Sequence, residues 1–188
     1  MIRRKVIGII VAVVFVAILT GCFGTDTKPV TEKQAEELGF PVFLPDYLPE
    51  GLELKDKTIE ENSLFVSFGS GDHYMEITQR KRSKYNYHHM IEMNASDAAN
   101  KADPAKDPAI EYRIIGNFVG EIDKTIKKQG IFSYTFLPSQ ILDQTVNVGD
   151  LHYYHIQSNL GEDEITQVIE SLRDLCQPQP DSGQEKAS

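Results

Sequence analysis

The sequence predicts an α+β fold: an antiparallel sheet of about six strands, with a short N-terminal and a longer C-terminal helix on one face. Three observations predict it. Short stretches of period-2 alternation recur, separated by Gly- and Asp-bearing turns, which is the pattern of antiparallel hairpins. A capped helix opens the folded part and an amphipathic 3.6-period stripe closes it. Helices set apart from a run of strands pack on the sheet they leave half-exposed. The 188-residue chain holds only two cysteines, Cys22 and Cys176, too few for a disulfide framework. A chain of this length buries roughly 70% of its unfolded surface, so a single core is sufficient without staples.

Charge excludes one class of partner. Lys plus Arg number 19 and Asp plus Glu 28, a formal charge of −9. Arg3, Arg4 and Lys5 are the only charged groups of residues 1–21, so the remainder carries 16 basic against 28 acidic side chains, a balance of −12. Such a surface repels phosphate backbones and argues against nucleic acid.

The basic start precedes an apolar run over residues 6–19, VIGIIVAVVFVAIL. As a helix this run spans about 21 Å, and a hydrocarbon core needs about 30 Å. It is short for a permanent span and the size of a signal-peptide apolar region. Leu19-Thr20-Gly21-Cys22 follows directly. An aliphatic residue, two small residues and Cys resemble the lipobox of bacterial lipoproteins. That resemblance implies cleavage after residue 21, a diacylglyceryl group on the Cys22 thiol and a new N-terminus there. Residues 22–29 then read as a polar tether, residues 30–176 as one domain, and residues 177–188 (QPQPDSGQEKAS) as a disordered tail.

The domain begins with a helix. Thr31 and Gln34 fit a capping box, Val30 and Ala35 a hydrophobic staple, and Gly39 a stop. Residues 40–51 carry three prolines, which exclude a central strand or a helix interior. They also carry Phe40, Val42, Phe43, Leu44, Tyr47 and Leu48, too many apolar groups for a free loop. An extended segment packed across the core is expected. Residues 52–59, 63–68 and 73–80 alternate as strands, with Gly69 to Asp72 as a hairpin turn. Residues 94–109 contain two prolines and no periodicity, so they are expected to form a long loop. Residues 111–122, 130–137 and 151–158 complete the six strands; the last two are rich in aromatic and β-branched residues. The closing helix is expected to carry Ile165, Val168, Ile169, Leu172, Leu175 and Cys176 on its buried stripe. Glu162 to Glu164 lie at its favourable positive end, and Pro178 stops it.

In this order the motifs Leu38-Gly39-Phe40-Pro41, Leu44-Pro45-Asp46-Tyr47-Leu48-Pro49-Glu50-Gly51 and Ile77-Thr78-Gln79 resemble an uncharacterised extracytoplasmic domain. It occurs in Gram-positive lipoproteins and in the outer portions of some membrane-bound anti-sigma factors. Tyr153 to Ile156 and Glu164 to Leu172 resemble its usual close. The resemblance implies a curved antiparallel sheet with helices on one face. It carries over no catalytic residue.

Few residues point to chemistry. His88 and His89 lie among Tyr85, Tyr87, Met90 and Met93. Imidazoles with nearby thioethers suit a soft metal. Neighbours on a strand face opposite sides, however, so no metal site is predicted. These six residues, beside the long loop, are the candidate contact surface for a partner. Arg80, Lys81, Arg82 and Lys84 form the one dense basic stretch and are the candidate contact to an anionic surface. Lys124, Lys127 and Lys128 form a looser second one. His152 and His155 are expected as ordinary strand residues, His73 as solvent-exposed, and Cys176 as a buried, inert thiol. Ser70 between glycines lacks the pattern of a nucleophile elbow. The expectation is a non-catalytic lipoprotein without cofactor, held on the extracytoplasmic face of the cell membrane. Its partner would be a membrane protein or an envelope component. The alternative is a carrier of a small ligand or lipid in an apolar pocket under the sheet.

Overall fold

The computed structural model describes residues 29–82, 85, 87, 90–91, 108–142 and 151–177. The expected leader, Cys22, residues 22–28 of the tether, residues 92–107 and residues 178–188 lie outside the described residues.

The first helix, α1 (Glu32–Leu38), forms as its local signals dictate. The Thr31 hydroxyl accepts from the Gln34 N–H, and the Gln34 side chain accepts from the Thr31 N–H. Gly39 ends the helix in the left-handed region, φ 66°, where a side chain would be strained.

After β1 (Phe43–Pro45), three strands run as a meander: β2 (Glu53–Glu60), β3 (Ser63–Ser70) and β4 (His73–Arg80). A hairpin of β5 (Ile110–Ile115) and β6 (Phe118–Asp123) follows, then the short helix α2 (Lys124–Lys127) and β7 (Phe132–Pro138). The chain closes with α3 (Ser139–Leu142), β8 (Tyr153–Ser158), α4 (Glu162–Glu170) and β9 (Leu172–Asp174). Seven strands form one antiparallel sheet in the order β2-β3-β4-β8-β7-β6-β5, and β1 pairs with β9 as a separate ribbon. The molecule is thus mostly antiparallel sheet with a few helices, as the alternation predicts.

Two details of the expected fold are corrected. The sheet has seven strands rather than about six, and it is not strongly curled. The added strand arises because residues 111–122 are two strands, not one. Gly116, at φ 56°, turns the chain between Ile115 and Phe118. Gly-Asn between apolar stretches is a hairpin signal in its own right.

The last helix is also shorter than its stripe. It stops at Glu170, and residues 172–174 run antiparallel to β1, with Phe43 opposite Asp174 and Pro45 opposite Leu172. Backbone groups of a segment lying over a core need partners. Here Leu175 N–H donates to Val42 O (2.9 Å) and Asp46 N–H to Ser171 O (3.1 Å). Pairing with β1 therefore replaces the last helical turns. Cys176 consequently leaves the buried stripe and is exposed. Partial desolvation still pushes its thiol above the ordinary value, so little thiolate is present at neutral pH.

Register shows how the core is layered. One row crosses all seven strands: Lys57, Val66, Ile77, Ile156, Tyr134, Ile122 and Glu111. Its five middle members are fully buried and its two ends are charged. The row behind it carries stacked Phe136 and Tyr154 rings, 5.7 Å apart. Phe43 of β1 meets Phe118 and Tyr154 edge-on, at 5.3 and 5.2 Å. The ribbon thus lies over this face, where the buried residues of α1 and α4 join the same core. Gly120 leaves room for the Tyr134 ring, which a Cβ there would meet at 2.5 Å. The Tyr134 hydroxyl in turn donates to the Arg113 and Phe118 carbonyls.

Candidate functional site

The opposite face of the sheet is polar where a two-layer fold would leave it to water. Its central row reads Phe65, Thr78, His155, Thr135, Glu121, Tyr112 across six strands. Thr135 and Glu121 are each only 7% exposed, and Ser133 beside them 6%. Buried polar groups are the informative ones. His155 Nδ1 and Thr135 Oγ1 are 3.0 Å apart. Burial holds the His155 imidazole below its ordinary value, so it is neutral at pH 7. The Tyr153 ring stacks on His155 with centroids 5.9 Å apart. Tyr85 lies over Tyr153, its hydroxyl donating to the Glu121 carboxylate. Burial, then that carboxylate, pushes the Tyr85 phenol far above its ordinary value. Among the described residues, no buried side-chain nitrogen or oxygen lacks a partner. Two hydrogen-bonded pairs thus lie on this face, Thr135 with His155 between β7 and β8 and Tyr85 with Glu121 of β6, and the Tyr153 ring packs between Tyr85 and His155.

This placement corrects part of the candidate contact surface. Tyr87 and Met90 are buried, at 1% and 0% exposure, so they belong to the core rather than the surface. The Tyr87 hydroxyl donates to the His152 carbonyl (2.8 Å). Tyr85 is half-buried against Tyr87. His88, His89 and Met93 lie outside the described residues, as do Lys84 and Cys22. His152 lies just before central β8 and His155 within it, and His73 is exposed. No group of three or more His, Cys, Asp or Glu side chains among the described residues is arranged to hold a metal.

The basic stretch sits at one end of the sheet. Arg80 and Arg82 are exposed, and with Lys81 they border an open depression of about 590 Å³ shared with Glu60, Glu61 and Asn62. Lys81 is different. It is half-buried, its N–H donates to the Asn62 carbonyl (2.9 Å), and its ammonium folds back toward Gly39 at the end of α1.

At the other end of β3 lies an apolar groove of about 300 Å³. Val30, Leu44, Leu48, Phe68 and Leu175 form its walls, and the Asp46–Arg173 ion pair (3.0 Å) stands at its rim. Sequence reading missed it as a site. The apolar surplus of residues 40–48 was visible, but the walls come from four distant segments that only the β1–β9 pairing gathers. Pro29, where the described chain begins, is part of its lip.

No helix among the described residues is long and apolar enough to cross a membrane. Neither a protein-family model, nor a curated protein, nor a solved structure matches the chain.

Proposed function

We propose that this chain is a lipid-anchored lipoprotein whose α+β domain is a non-catalytic binding module on the extracytoplasmic face of the cell membrane. The basic start, the short apolar run and the lipobox-like Leu19-Thr20-Gly21-Cys22 motivate the anchor. The observation that carries the reading is where the fold starts. Val30 is 1% exposed and belongs to the core, so only residues 23–29 separate an acylated Cys22 from a packed domain. Fully extended, such a tether reaches no more than about 25 Å. Two acyl chains, at about 0.8 kcal/mol per buried CH₂, hold a protein stably where one is marginal. A domain so tethered meets only envelope partners: a membrane protein or an envelope component.

The test is radiolabelled or clickable fatty acid incorporation in the producing cell. Wild type is expected to take the label on Cys22 and to migrate as a processed form. Cys22→Ala is expected to lose the label and remain a precursor. Equal labelling and mobility of the two would overturn the reading.

A second reading, a carrier of a small ligand or lipid, is favoured by one observation: the apolar groove between the ribbon and Phe68.

A further inference from the structure

We propose that the groove walled by Val30, Leu44, Leu48, Phe68 and Leu175 takes one hydrocarbon chain of a membrane phospholipid, with Tyr47 and Leu54 resting at the bilayer surface. The inference rests on the lipid-anchored reading and adds to it a ligand and an orientation.

Three observations converge on this occupant. The first is the lining. The walls are apolar, and the charges at the rim neutralise each other, Asp46 against Arg173 at 3.0 Å. Neither charge is left to select an ionic group inside, so the part of a ligand that enters is uncharged. The volume of about 300 Å³ lies at the small end of the range for ligand sites, which suits a single chain rather than a ring system with polar substituents.

The second is the surround. Of the four large apolar residues exposed among the described residues, two adjoin this groove. Tyr47, 43% exposed, lies between lining residues Asp46 and Leu48. Leu54, 38% exposed, is the cross-strand partner of Phe68 and shares its face of the sheet. An exposed tyrosine and an exposed leucine next to lining residues of one groove have the character of an interfacial contact, ring at the headgroups and aliphatic group below.

The third is position. Pro29 is at the lip, so the tether leaves the domain beside the groove. A seven-residue tether limits that lip to about 25 Å from the sulfur that carries the anchor. The groove therefore opens within that reach of the outer leaflet. Arg80 and Arg82, at the opposite end of β3, lie on the side away from it.

The experiment uses the full lipidated protein in vesicles of anionic phospholipid containing a phospholipid with a photoreactive diazirine in mid-chain. After illumination the adducts are mapped by mass spectrometry, and the N-terminal peptide of the same sample is read for acylation of Cys22. The expected result is an adduct on the stretch from Leu44 to Leu48 and on Leu175. Leu48→Trp, which fills the groove from a half-buried position, is expected to abolish it, and Leu48→Ala to retain it. If Leu48→Trp does not melt cooperatively, Leu175→Trp fills the groove from the opposite wall and is read instead. Adducts confined to other surfaces, or undiminished by a folded filling variant, overturn the proposal while leaving an acylated Cys22 intact. An unacylated Cys22 with the groove adduct present overturns the anchor and leaves the groove.

Discussion

Gln79 is the side chain on which the attachment of the ribbon turns. It is completely buried, on the same face of β4 as Met75 and Ile77. Its carbonyl accepts from the Phe43 N–H (2.9 Å) and its amide donates to the Phe43 carbonyl (2.6 Å). One side chain thus imitates a strand for the free edge of β1, whose other edge pairs with β9. Gln79→Leu keeps the bulk and removes both bonds. Each buried group left without a partner costs about 1–3 kcal/mol. A loss of about 2–6 kcal/mol in urea unfolding is therefore expected, and an unchanged midpoint would show that the ribbon is held by packing alone. The alternation of residues 73–80 already assigned Gln79 to the face of Met75 and Ile77. Its partner lies 36 residues away, and nothing local to either residue announces the pair.

At the scale of elements, α4 shows where local signals end. Its acidic first turn is as expected, and Ile165, Val168 and Ile169 are buried as the stripe requires. The Glu164 carboxylate also accepts from the Gly161 N–H (3.2 Å). Glu162 is drawn into a network with Lys127 of α2 and Arg113 of β5, and Arg113 also pairs with Glu111. The Lys127 ammonium, then the Arg113 guanidinium, hold the Glu162 carboxyl below its ordinary value of 4.5. A carboxyl that titrates lower in the folded than in the unfolded chain stabilises fully above the unfolded value. That contribution is lost as pH falls through the folded one. Urea unfolding of wild type is expected to weaken between about pH 5 and 3 more steeply than that of Glu162→Gln. Glu162 is 40% exposed, so the difference is expected to stay below about 1 kcal/mol. Parallel pH profiles would show that the network contributes nothing.

The whole molecule is acidic, and two of its exposed basic groups, Arg80 and Arg82, lie together at one end of the sheet. Arg80 and Arg82 have no carboxylate partner among the described residues, whereas Lys81 is folded toward α1. Each basic group near an anionic surface adds about 1 kcal/mol, screened by salt. Arg80→Ala combined with Arg82→Ala is expected to weaken retention on a soluble anionic polymer by about 2 kcal/mol at low salt. The same salt profile for variant and wild type would leave these residues as charge that keeps a hairpin end soluble. Lys81→Ala is not expected to add to the effect.

What the sequence determined by itself is local: which residues alternate, where α1 and α4 begin, and which side chains of one strand share a face. These follow from period, capping and charge within a few neighbouring residues. Only the tertiary structure decided that β8 lies between β4 and β7, that residues 172–174 abandon the helix for β1, and that Val30, Phe68 and Leu175 share a groove. Those outcomes depend on covering one apolar face while giving every backbone group laid across it a partner. That condition joins segments about 130 residues apart and has no trace in the spacing of either one.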